Sequence, residues 1–212
     1  MKAGLRAALF DWDGTLVDSA GVSFRSYVAL FASFGIAYGA ADFERTYSPD
    51  WYRTFEAMRL PRESWDQADA RWLGLYAQEP AALLPGARAG LERLRDAGLR
   101  QGLVTSGTRS RIDADLERLG VGGFFGAVVC GGDTAHRKPH PEPLLAALRR
   151  LGVAPAEAAY VGDSPEDVVM SRAAGVFAIG IPGGFPNRAG LVASGPELLV
   201  ASLDEAASAL VG

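Results

Sequence analysis

One cysteine, two histidines and two lysines are all that this 212-residue chain holds of those residue types, and each shortage closes off a class of function. A lone Cys130 excludes an intramolecular disulfide and any multi-cysteine metal site, which leaves it the role of a small buried apolar residue at a strand end. His136 and His140 flank Lys138 without an obvious partner and read as structural. No apolar segment approaches the ~18 residues of a membrane span. The opening Met1-Lys2-Ala3-Gly4-Leu5-Arg6 has no signal-peptide h-region, so the expectation is a cytoplasmic protein. The net charge of −4 is spread without a basic block, so neither nucleic acid nor an anionic membrane surface is an expected partner. Nothing in the sequence bears on oligomeric state. A chain of this length can hold one large core, or a core with a small accessory domain.

The shortage of lysine makes the two that exist informative. Nineteen of the 21 basic residues are arginine. Lys2 sits at an expected frayed end. Lys138 opens the run Lys138-Pro139-His140-Pro141-Glu142-Pro143, in a loop between two expected strands. A compact ammonium there suits a phosphate; the alternative is a solvated loop lysine.

The most informative stretch is Phe10-Asp11-Trp12-Asp13-Gly14-Thr15-Leu16, straight after the apolar run Ala7 to Phe10. Side chains alternate along an extended backbone, so Asp11 and Asp13 can face the same way, and Gly14 lets the chain turn directly after them. Two such anions repel unless a cation intervenes. A hard divalent ion with oxygen ligands does this well, and Mg²⁺ commonly takes a substrate phosphate into its octahedron. The alternative is an Asp-Gly turn with merely solvated acids. Three further segments weigh against it. Gly102-Leu103-Val104 stops at Thr105-Ser106-Gly107, Lys138 follows, and Val161-Gly162-Asp163-Ser164-Pro165-Glu166-Asp167 ends another short apolar run.

Periodicity organises the rest. Phe24, Tyr27, Val28, Phe31 and Phe34 form a helical stripe ended by Gly35, and Ser48-Pro49 reads as the start of a helix with Trp51, Phe55 and Met58. Trp65, Ala68, Trp72 and Leu75 make a third stripe. Three helices holding three of the four tryptophans predict a small all-helical unit, with Leu83-Leu84-Pro85-Gly86 as its return hinge. Beyond it, helices with Leu91 and Leu94, with Ile112, Leu116 and Leu119, with Leu144, Leu148 and Leu151, and over Pro165 to Ala174 alternate with strands Leu99 to Thr105, Ala127 to Cys130, Ala159 to Val161 and Phe177 to Ile181. Ser202-Leu203-Asp204-Glu205 starts a last helix as a capping box. The class is α/β: a Rossmann-like parallel sheet with helices on both faces and an inserted all-helical cap. In such a sheet Asp11, Asp13, Thr105 and Asp163, each following an apolar strand, converge on one edge.

These motifs, in this order, resemble the haloacid dehalogenase superfamily of phosphohydrolases over essentially the whole chain, and most closely its phosphoglycolate phosphatase-like and phosphoglucomutase-like branch. The resemblance implies a core of residues 1–18 and 85–212 and a cap of residues 19–84. It implies Asp11 as nucleophile, Asp13 as acid and base, and Mg²⁺ held by the Asp11 and Asp163 carboxylates and the Asp13 carbonyl. Lys138 and Thr105, with the N–H groups near Ser106 and Gly107, would hold the phosphoryl group of a small phosphorylated metabolite. Asp167 would support the metal or Lys138, or else simply cap a helix. Trp12 stands where the family more often has Phe or Leu, and should pack. Asp13 excludes the haloalkanoate-cleaving branch, and Gly14 with the lack of a cap lysine excludes the phosphonate-cleaving branch.

A receiver module of about 120 residues is too short for this chain, and a nucleotide-binding Rossmann unit would need glycines where Asp11 to Thr15 stand. A sugar phosphomutase of the same superfamily uses the same Asp pair and stays open as an alternative. A non-catalytic phosphate-binding protein is a lesser one. Arg25, Tyr47, Trp51, Tyr52 and Arg53 are candidates for substrate specificity, combining charge or stacking area with cap positions.

Overall fold

Backbone extension with side chains alternating between two apolar faces is what the first core strand needs, and β1 (Ala7–Phe10) has it. In the computed structural model, which describes residues 4–212, Ala7 and Leu9 join one buried cluster while Ala8 and Phe10 join another. Lys2 lies outside the described residues. After β1 come a two-residue strand β2 (Val17–Asp18), four helices α1 (Ala20–Ala32), α2 (Ala40–Thr46), α3 (Trp51–Ala57) and α4 (Trp65–Ala77), and a second short strand β3 (Ala82–Leu83). The chain then alternates: α5 (Ala87–Asp96), β4 (Arg100–Thr108), α6 (Arg109–Leu119), β5 (Ala127–Gly131), α7 (Glu142–Leu151), β6 (Ala158–Gly162), α8 (Pro165–Ala174), β7 (Phe177–Gly180), α9 (Arg188–Ser194), β8 (Leu198–Leu199) and α10 (Leu203–Val211).

Six strands form one parallel sheet in the order β5-β4-β1-β6-β7-β8. The chain runs outward from β1 through β4 to β5, then crosses to β6 on the other side of β1. The reversal leaves a crevice at the carboxyl end of β1, between its neighbours β4 and β6. Both faces are covered: Leu91, Leu94, Ile112 and Leu203 pack on one, Leu144, Leu148 and Met170 on the other. Burial of each such side chain contributes roughly 1.5–3 kcal/mol. No helix among the described residues is long and apolar enough to cross a membrane.

The expected stripes fold into a separate aromatic cluster of Tyr27, Phe31, Tyr38, Phe43 and Phe55, joined by Phe185 from the segment after β7. Three details differ from expectation. There are four helices between β2 and β3, because Gly39 and Asp42 start the short α2. The N-cap of α3 is Asp50, whose carboxylate accepts from the Tyr52 N–H, while Ser48 Oγ accepts from the Asp50 N–H upstream of the helix. And β4 continues past Thr105 to Thr108, with a register shift against β5 in that stretch. The two crossings between the sheet and the helical insert lie side by side, since β2 and β3 pair antiparallel, Val17 with Leu83 and Asp18 with Ala82.

Candidate active site

Strand ends supply the site. Asp11 follows β1, Thr105 lies in the last half of β4, and Asp163 follows β6, so strand order alone brings them to one edge. Gly14 is held at φ 77°, and a Cβ there would collide with the Asp163 carboxylate and the Phe185 ring. That left-handed turn lets the backbone after Asp13 lie directly against Asp163.

Lys138 reaches into this edge from its proline-flanked loop. Its Nζ donates to Asp11 Oδ1 at 2.7 Å, to Asp167 Oδ1 at 2.8 Å and to the Tyr160 hydroxyl at 2.6 Å, and its side chain is only 4% exposed. These three bonds use the three donors of an ammonium. The Tyr160 hydroxyl in turn donates to the Val104 carbonyl. Asp167 touches both the lysine and the helix start: Oδ1 accepts from Lys138 Nζ, and Oδ2 accepts from the backbone N–H and the hydroxyl of Ser164, the N-cap of α8.

Thr105 Oγ1 accepts from the Gly107 N–H at 3.1 Å, which leaves its own hydroxyl proton for a ligand. Thr105, Ser106 and Gly107 line a cavity together with Asp11, Asp13, Lys138 and Asp163. The far wall is aromatic and comes from the insert and the β7–α9 connection: Tyr27, Tyr47, Trp51, Trp72 and Phe185, with Tyr47 stacked on Phe185 at 4.4 Å. The indole N–H groups of Trp51 and Trp72 are buried without a hydrogen-bond partner.

Of the five residues proposed for specificity, Tyr47 and Trp51 line the cavity. The other three do not. Arg25 is on the surface, paired with Glu79; Arg53 is exposed, 3.9 Å from Asp50; Tyr52 donates to Asp69 at 2.6 Å and stacks on Trp65. The arginines fall outside because their helices turn the aromatic face inward and leave charge to water.

Sequence reading missed Arg111. Its Nη1 and Nη2 donate to the two oxygens of Asp13 at 3.0 and 2.5 Å, and the side chain is 10% exposed. A signal existed: Arg109 and Arg111 both sit in the first turn of α6, where no acid accompanies them and the helix dipole disfavours cations. An anionic partner elsewhere offsets that, and Arg109 indeed pairs with Asp133. Trp12 packs fully buried, as expected, with its N–H directed at Asp115. Cys130 is buried and free. His136 does have partners, Glu142 at 2.9 Å and a stacked His140, all at the surface.

Electrostatics separate the carboxylates. Burial, with the charges of Asp167 and Asp13 adding to it, pushes Asp11 up to about 7 even though Lys138 opposes the shift. Asp163 is pushed well above the ordinary range by burial, then by Asp11 and Asp167. For Asp13 burial acts upward too, but the charge and hydrogen bonds of Arg111 outweigh it and hold the carboxyl below its usual value. One oxygen from each of Asp11, Asp163 and Asp167 lies within 4.8 Å of the others. Three buried carboxylates against one ammonium leave surplus negative charge, and the donors are all hard oxygens, so the set fits a divalent cation such as Mg²⁺.

Residues 8–181 match the family model for haloacid dehalogenase-like hydrolases. A phosphoglycolate phosphatase of Escherichia coli is 30% identical over 237 aligned positions, which cover 97% of this chain and 92% of that protein. Two solved structures are similar at 26% identity. CbbY from Rhodobacter sphaeroides in complex with phosphate superposes with a TM-score of 0.79, covering 95% of this chain and 96% of that one. A Thermotoga maritima protein described provisionally as a beta-phosphoglucomutase gives 0.77, with coverage of 97% and 98%. With its model matched over most of its length and its strand-end carboxylates gathered around one buried lysine, the chain belongs to the haloacid dehalogenase-like hydrolases.

Proposed function

We propose that this hydrolase is a Mg²⁺-dependent phosphatase that cleaves a small phosphate monoester of the phosphoglycolate type through an aspartyl-phosphate on Asp11. The observation that carries this reading is the Lys138 ammonium bridging the Asp11 and Asp167 carboxylates at the mouth of the sheet. A carboxylate this buried favours protonation, and the fixed ammonium opposes that, keeping an anionic oxygen available as nucleophile.

An Asp11 oxygen forms a bond to phosphorus as the ester P–O bond breaks, and Asp13, which must first take up a proton from solvent because Arg111 holds it ionised, gives that proton to the departing alkoxide. Asp13 then takes a proton from water, which attacks the same phosphorus and releases phosphate and the Asp11 carboxylate. The Thr105 hydroxyl and the Ser106 N–H hold phosphoryl oxygens, while the Gly107 N–H fixes the Thr105 hydroxyl that does so. Mg²⁺, held by the Asp11 and Asp163 carboxylates and the Asp13 carbonyl, would supply positive charge to the phosphoryl oxygens when bound. Asp167 keeps Lys138 in position. We take residues 19–84 as the cap and residues 1–18 and 85–212 as the core.

The Escherichia coli relative supports phosphoglycolate as the substrate, and the phosphate complex of CbbY supports a small phosphorylated ligand. The Thermotoga maritima likeness supports a second reading, transfer of the phosphoryl group between positions of a sugar. A panel of phosphate monoesters assayed with Mg²⁺ decides between them. Free phosphate released from 2-phosphoglycolate, and lost in excess chelator, is expected. Isomerised sugar phosphate with no free phosphate establishes the mutase, and activity indifferent to chelator removes the metal from the scheme.

A further inference from the structure

Arg111 stands at the cavity in a place the scheme above does not use. Among the residues lining the cavity it and Lys138 are the only cations, and all three donors of Lys138 are spent on Asp11, Asp167 and Tyr160. Among these lining residues a second anionic group of a ligand therefore has one partner of opposite charge, while Arg137, 5.1 Å over the Trp51 ring, lies outside the lining. Arg25 and Arg53, the two insert arginines singled out from the sequence, are on the outside.

The guanidinium is also built for a carboxylate. It already presents two N–H groups in a fork to Asp13, lies 4.9 Å over the Tyr76 ring, and has Asp115 behind it at 3.9 Å. Asp115 is itself held by Arg118 and faces the Trp12 N–H. This support fixes the plane of the fork, and Arg111 lines the cavity beside Asp13.

We propose that Arg111 is the specificity residue for a carboxylate on the substrate, and that it exchanges Asp13 for that carboxylate when the substrate binds. The inference rests on the phosphatase reading and names its substrate class: a phosphate monoester with a carboxylate a bond or two from the ester carbon. The exchange replaces one Arg–carboxylate pair by another, so the charge balance around the guanidinium is kept. It also releases Asp13 from both of its arginine bonds, and the freed carboxyl can then reach the leaving oxygen. An ester without the carboxylate leaves Asp13 tied. Recognition thus enters kcat as well as KM, which a purely structural arginine would not do.

Two esters differing only at the end of the leaving group test this: 2-phosphoglycolate, and ethyl phosphate, in which a methyl replaces the carboxylate. Taking the ratio of their kcat/KM values, and comparing wild type with variants, cancels the intrinsic difference in leaving ability. In Arg111→Gln the preference for 2-phosphoglycolate should fall by about 30-fold, the scale of a lost charge-assisted pair, with part of the loss in kcat. Arg111→Lys, which keeps the charge without the fork, should fall in between. If Arg111→Gln slows both esters by the same factor, or if wild type shows no preference for the carboxylate, the proposal is overturned and Arg111 only props Asp13. Should Arg111→Gln not fold, Arg111→Lys decides, an unchanged ratio counting against the proposal. Should wild type release phosphate from neither ester, the phosphatase reading fails by itself. Calorimetry of phosphonoacetate against ethylphosphonate in the presence of Mg²⁺ then reads the anion site directly. A preference of about tenfold that disappears in Arg111→Gln supports it, and equal binding overturns it.

Discussion

Lys138 answers a question of charge that no neighbouring residue can. Two of its three partners are buried carboxylates, so its ammonium is strongly stabilised and the carboxylates are partly neutralised by a single point charge. Lys138→Arg keeps the charge, but a planar guanidinium is too large for the point at which Asp11, Asp167 and Tyr160 converge. Its kcat should fall by about 10²-fold or more, the loss expected from a misplacement of roughly 1 Å at the reacting centre. Full activity in a steady-state assay returns Lys138 to the role of an ordinary loop lysine. Asp11→Asn removes the nucleophile with almost no change in volume, so kcat should drop by about 10⁴-fold or more while the circular dichroism spectrum and Tm stay near parental values. Retained turnover excludes the covalent route. Buried carboxylates also set a pH dependence. Asp11 has its folded pKa raised from 3.8 to about 7, and Asp163 is raised as well, so the folded protein binds more protons than the unfolded chain in this window. Without metal, this contribution to stability declines as pH rises from about 4 to about 7. A divalent ion competes with those protons, so Mg²⁺ should raise Tm more at pH 7.5 than at pH 5.5. Equal shifts at the two pH values argue against ion binding at these carboxylates.

At the scale of elements, α8 ties local folding to the site. Ser164 is its N-cap: Oγ accepts from the Asp167 N–H, while the Ser164 N–H and hydroxyl both donate to Asp167 Oδ2, the carboxylate whose other oxygen holds Lys138. Ser164→Ala should cost about 1–2 kcal/mol, which for a chain of this size lowers Tm by roughly 2–8 °C. It should also lower kcat, because Asp167 loses a fixed partner; an unchanged Tm shows that the cap is dispensable. Ser164-Pro165-Glu166-Asp167 was readable in the sequence, as was every helix with a repeated apolar stripe, such as α4 and α7. Some short elements were not. The seven-residue α2 has no stripe long enough to register, and β2 and β3 are two residues each, defined only by their pairing with one another. The strand-end groups Asp11, Thr105 and Asp163 could be placed because a parallel sheet sends all its carboxyl ends to one edge. Arg111 could not. Its partner Asp13 is 98 residues away, so its place in the first turn of α6 could suggest that it has an anionic partner but not which one. A similar separation hid the burial of Tyr160 beneath Lys138, 22 residues away.

For the molecule as a whole, the open question is whether the helical insert moves as a lid. It carries its own aromatic cluster, meets the sheet through two adjacent short strands, and forms the wall opposite the carboxylates. The chemistry gives a reason for movement: attack on phosphorus is favoured when bulk water is excluded, and hydrolysis of the aspartyl-phosphate needs water admitted. A rigid body on a two-strand hinge near Asp18 and Leu84-Pro85 meets both needs. Trp51 and Trp72 line the cavity, and Trp65 lies away from it against Tyr52. Trifluoroberyllate with Mg²⁺, which mimics a phosphoryl group on a carboxylate, should therefore change tryptophan fluorescence and protect residues near both hinge strands from limited proteolysis. Fluorescence alone could report a ligand touching the wall, so hinge protection is the reading that requires movement. Trp12 is buried in the core next to the nucleophile and could respond to the ligand by itself. The titration is therefore repeated in Trp12→Phe, with binding of the mimic checked by calorimetry. If that variant binds the mimic while its fluorescence and its hinge cleavage both stay as in the free protein, the insert is a fixed wall, and water must reach the intermediate through the cavity mouth without any opening of the cap.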